Sequence, residues 1–93
     1  MKLIKPIKVS KLCKIFKVFF LGKDQYINEI GPISSNKKNL LSFSNNATDV
    51  KKKIFISKAK SKFSSNTIII YKNPRLLFCN VLEFFIKKNL INI

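Results

Sequence analysis

Aromatic rings and lysine ammoniums are the groups with which this sequence can do chemistry. Tyr26, Phe43, Phe55 and Tyr71 fall in segments that read as strands, and a ring on a sheet is a stacking platform for a flat ligand. Of the 19 basic residues all but Arg75 are lysine, and against 4 acidic residues they give a net charge of +15 over 93 residues. A field of that sign steers anions toward the chain. Histidine is missing altogether, which removes the usual general base near neutral pH, the commonest zinc ligand and every Ser-His or Cys-His nucleophile pair. The two thiols, Cys13 and Cys79, lie far apart and outside any CxxC or Cys/His cluster. No metal site is legible, no cofactor is implied, and buried free thiols are the expected state.

The charge also has a plainer origin. Lys, Asn, Ile and Phe together make up more than half of the chain, and these are the residues that A+T-rich codons specify. A compositional bias of that kind yields basicity without any partner. The length allows one domain over residues 1–93, because a chain this short buries only about 60–65% of its unfolded surface. Lys2 and Lys5 precede an apolar stretch, but Lys8, Lys11, Lys14 and Lys17 interrupt it, so neither a signal peptide nor a membrane span is expected. A cytoplasmic location is the expectation.

The elements that must hold the rings follow from periodicity. Residues 1–9, with Pro6, read as extended. Ser10 is a candidate cap for a helix over 10–21 with an apolar stripe of Leu12, Ile15, Phe16 and Phe19, ended by Gly22. Strands are predicted at 26–30, 40–44, 54–57 and 67–71, the last a β-branched run that calls for burial on both faces. Asn73 and Pro74 open a helix over 74–88 as N-cap and first helical residue. The expectation is an α/β fold: a small mixed sheet of about four strands covered by two helices.

Four landmarks in this order resemble a known family. They are Leu21-Gly22 before a turn, Ile27-Asn28-Glu29-Ile30-Gly31-Pro32-Ile33, Leu41-Ser42-Phe43-Ser44-Asn45-Asn46, and Ile69-Ile70-Tyr71-Lys72-Asn73-Pro74-Arg75-Leu76. Together they cover about residues 9–88 and are similar to the N-terminal, non-repeat domain of UDP-3-O-acyl-glucosamine N-acyltransferase, an enzyme of lipid A synthesis, so the resemblance implies a domain with its core over about 9–88. The resemblance implies a domain that binds the uracil and ribose end of a UDP-sugar, with Phe43 stacking on the base and Asn46 reading its edge. An aromatic ring and an amide suit that task, since uracil offers a flat face and one edge carrying both donor and acceptor.

Two departures from the family qualify what is carried over. Where its members have a second aromatic, this chain has Asp49, beside Lys51, Lys52 and Lys53. The family's acyl transfer also takes place on a β-helix of hexapeptide repeats with a histidine base, and neither is present in these 93 residues. The expectation is a truncated or split copy, inactive by itself, whose catalysis would need a separate hexapeptide-repeat chain and, through it, acyl carrier protein. The alternative of a different class is a small basic nucleic-acid-binding protein using the strand aromatics as platforms, although the Lys/Arg-Gly-Phe signature of RNA-recognition folds is absent. A helix over 10–21 lying on an anionic lipid surface is a third reading.

Overall fold

The computed structural model of the chain describes residues 1–34, 37–44, 53–58 and 65–92. Its elements run β1 (Lys2–Lys8), α1 (Val9–Phe16), β2 (Phe19–Leu21), β3 (Tyr26–Ile30), β4 (Leu40–Phe43), β5 (Ile54–Ser57), β6 (Thr67–Ile70), α2 (Pro74–Lys87) and β7 (Ile91–Asn92). The strands form one mixed sheet in the order β2-β6-β5-β4-β3-β1-β7. Its centre, β3 to β6, is parallel, and the flanking strands β1, β2 and β7 pair antiparallel.

Register explains the two-sided burial of the centre. Ile56 of β5 pairs with Phe43 of β4 and Ile69 of β6, while Phe55 pairs with Ser42 and Ile68. Paired residues share a face and successive ones alternate. Leu41, Ile54, Ile56 and Ile69 therefore meet the helices through Leu12, Leu77, Val81 and Phe85 in one core. Phe55 and Ile68 form a second core on the opposite face, against Ile33 and Ile70. Phe55 and Phe85 are fully buried, and truncating a ring at such a position typically costs about 3–5 kcal/mol.

The α/β class and the two covering helices agree with the sequence, and so do four central strands within a residue of their expected ends. Among the described residues the sheet has seven strands rather than about four, because β1 and the short β2 and β7 add antiparallel pairings at its flanks. The helix expected over 10–21 ends at Phe16, where Lys17 turns left-handed at φ 56°. The aromatic run that follows becomes β2, pairing Phe19 with Ile70. The helix buries Val9, Leu12 and Cys13, and Ile15, expected on the stripe, is 42% exposed. Ser10 lies inside the helix and caps nothing. Its N–H and hydroxyl instead donate to the Asp24 carboxylate at 3.0 and 2.7 Å, and these hydrogen bonds hold that carboxyl below its ordinary pKa. At the second helix the expectation stands: Asn73 accepts from the Leu76 N–H at 3.3 Å, with Pro74 in the first turn.

The corner after β2 needs glycine. Gly22 has φ 101°, and a Cβ there would lie 2.4 Å from the Asn66 carbonyl oxygen. Beside it, buried Thr67 donates to the Lys23 carbonyl at 2.6 Å and accepts from the Gln25 amide at 2.7 Å, tying the turn to β6. Gly22→Ala is expected to lower stability by about 1–3 kcal/mol, from the left-handed backbone together with the clash. Gly31→Ala should cost less, since its Cβ would meet only the movable Leu40 side chain at 3.1 Å. Urea unfolding of the two variants checks the ranking, and an equal loss would contradict this account of the corner.

Candidate functional site

The ends of β3 and β4 create an opening at the carboxyl edge of the parallel strands. Chain direction makes this edge special, because crossovers leave the sheet there and ligands of open α/β sheets settle in the crevice they vacate. Gly31 and Pro32 turn the chain away after Ile30, and the Gly31 N–H donates to the Leu41 carbonyl at 3.0 Å. Met1 closes the other side, its N-terminal ammonium donating to the Ile30 carbonyl at 2.7 Å. The result is a cleft of about 430 Å³ lined by Met1, Ile30, Gly31, Pro32, Ile33, Phe43, Phe78 and Leu82. Its volume lies within the range of small-ligand sites.

Phe43 is half-buried in this cleft, at the last position of β4 and on the helix-covered face. Its ring packs against Phe78 of α2 with centroids 4.9 Å apart and planes inclined at 45°. α2 thus supplies a second aromatic wall. Sequence reasoning missed Phe78 because it follows the buried Leu77 and lies off the helix's main apolar stripe. Its signal was the one-turn spacing from Phe78 to Leu82, which forms a second, shallower stripe. Asn46, Asp49, Lys51 and Lys52 lie outside the described residues, as does most of the 58–66 connection.

The other strand aromatics divide differently from the platform arrangement. Phe55 is fully buried beneath the second face and cannot stack on a ligand. Tyr71 is half-buried against the main core. Tyr26 is 51% exposed, with the Lys8 ammonium 5.5 Å from its ring centre. Of the apolar stripe expected on the first helix, Leu12 is buried and Phe16 packs against the core, whereas Ile15 and Phe19 are exposed. No helix among the described residues is long and apolar enough to cross a membrane, and none of their His, Cys, Asp and Glu side chains form a cluster of three or more that could hold a metal ion.

Fold and site together define a small mixed α/β domain with an apolar, aromatic-walled cleft at the carboxyl edge of its parallel strands. Compared with known protein families, curated proteins and solved structures, the chain matches none.

The two thiols are free but not alike, against the expectation that both are buried: Cys13 is buried and Cys79 is exposed. Cys79 follows Phe78 on α2 and so falls on the helix's solvent side. Burial pushes the Cys13 thiol up to about 11, with the Asp24 carboxylate adding to the shift. Since the thiolate is the reacting form, iodoacetamide at pH 8 should modify Cys79 and spare Cys13 in the folded protein, and modify both in urea. Peptide mass spectrometry reads the two sites separately. Fast modification of Cys13 in the folded protein at pH 8 would contradict its burial.

Proposed function

We propose that the chain binds the uridine end of a nucleotide sugar. The observation that carries the reading is the Phe43 ring, half-buried at the carboxyl end of a parallel strand and facing a cleft of about 430 Å³. A pyrimidine stacked there gains about 1–3 kcal/mol from the ring. Phe78 adds the second aromatic surface that Asp49 does not supply. Asn46, three residues beyond Phe43, is the candidate reader of the base edge. The four landmarks shared with the acyltransferase domain point to the same ligand.

Acyl transfer itself is assigned to a separate hexapeptide-repeat chain, which would bring acyl carrier protein, since the described cleft is apolar and offers no general base. Two free thiols suit a cytoplasmic setting, where nucleotide sugars are made and used.

Uridine provides the test because it carries no charge to screen. It is expected to bind with a dissociation constant in the millimolar range, as one stack and one or two hydrogen bonds leave little after the loss of ligand freedom. NMR titration should show the Phe43 and Phe78 signals moving, by amounts that persist at 0.5 M or so of added salt, well beyond the screening of surface charge. Phe43→Leu, which keeps the apolar volume, should weaken binding about tenfold by removing the stack. If uridine leaves both rings unperturbed while RNA binds with a log-log salt slope near −0.7 per phosphate neutralised, the basic nucleic-acid-binding alternative takes its place.

A further inference from the structure

A second cleft lies at the other end of β3, and its chemistry is different. It encloses about 410 Å³, with Lys5, Lys8 and Lys11 among its lining residues and Tyr26, Phe85 and Leu90 as its apolar surface. Three separate features of the chain build it. The register of β1 shifts between Lys2 and Ile7, around Pro6, and such irregularities re-aim side chains. The turn after α2 brings Leu90 onto β1, where the Ile4 N–H donates to the Leu90 carbonyl at 2.8 Å. The α1 helix begins directly after Lys8 and has no acidic residue in its first turn.

The lining of this cleft carries three lysines and no acidic residue. Lys8 and Lys11 stand at the positive end of α1, where the helix dipole disfavours cations, and Lys5 adds a third like charge. Among the described residues no ion pair joins any of the three. The nearest acidic group in sequence to α1, Asp24, is hydrogen-bonded to Ser10 and close enough to Lys8 to feel its charge, but it is not part of the lining. The helix's first two amides are already taken, by the Gln25 carbonyl and by Asp24. An anion here would therefore be held by side-chain ammoniums above an apolar floor, with the exposed Tyr26 ring beside it.

We propose that this cleft is a binding site for a small organic anion, a phosphate or carboxylate carried on a flat apolar body, with the head among Lys5, Lys8 and Lys11 and the body against Ile7, Tyr26 and Leu90, over the buried Phe85. The site is independent of the uridine reading, because it shares no lining residue with the Phe43 cleft.

Phenyl phosphate, inorganic phosphate and phenol at one fixed ionic strength separate the contributions. By NMR titration, phenyl phosphate should move the Lys8, Lys11, Tyr26 and Leu90 signals together along one saturable curve, about tenfold tighter than either inorganic phosphate or phenol, because only it fills both halves of the site. The exposed-residue variant Lys8→Gln/Lys11→Gln should weaken it by about fivefold or more and leave uridine binding unchanged, whereas Phe43→Leu should leave phenyl phosphate unaffected. Tyr26→Leu should remove most of the advantage over inorganic phosphate. Equal affinity for phenyl and inorganic phosphate, shifts scattered over lysines on every face, or full binding by the double-lysine variant would each overturn the proposal.

Discussion

Burial of β5 and β6 on both faces is the constraint from which the architecture follows. Ile54, Phe55, Ile56, Ile68 and Ile69 are all nearly inaccessible to solvent, so each face of the sheet needs a cover. The helices provide one, and Ile33 from the β3–β4 connection contributes to the other. β3 to β6 pair parallel, and the antiparallel strands β1, β2 and β7 fill out the flanks of the sheet. Thr67, buried and hydrogen-bonded to the Lys23–Gln25 turn, anchors β6 to the β2 corner.

Both clefts are consequences of that arrangement. At the carboxyl edge, the chain leaves β3 through Gly31 and Pro32 and leaves β4 after Phe43, so two strand ends part beneath α2 and an apolar gap opens between them. At the opposite end, the shift in β1 and the turn after α2 draw lysines around an aromatic floor. One helix serves both: α2 lends Phe78 and Leu82 to the first cleft and Phe85 to the second. Its buried face is thus a structural element whose margins are available to ligands. Three of the lysines, Lys5, Lys8 and Lys11, are gathered by the fold along one cleft.

The central strands were legible because their signal is local. Ile54-Phe55-Ile56 and Thr67-Ile68-Ile69-Ile70 are β-branched and aromatic runs whose burial the sheet requires, and Asn73-Pro74 writes the start of α2 in capping chemistry. What escaped depended on contacts distant in sequence. Phe19, Phe20 and Leu21 continue the helical spacing of α1, and only the left-handed turn at Lys17 and pairing with β6 make them a strand. β1 carries a proline and β7 has two residues, so each is a strand by virtue of its partner. Phe43 was singled out as a candidate through its motif, and it lines the cleft. Phe78 was not, because its neighbour across the cleft is 35 positions away (78 − 43) and helical periodicity alone assigns it to a flank.

The account's central claim is that the Phe43 cleft holds a uracil ring. Intermolecular NOEs between the uracil H5 and H6 protons of bound UDP-N-acetylglucosamine and the protons of the chain test it most directly. The account predicts NOEs to the Phe43 ring, with weaker ones to Phe78 and Leu82. NOEs to Tyr26 and Leu90 instead, or none to Phe43 with the ligand near saturation, would contradict it.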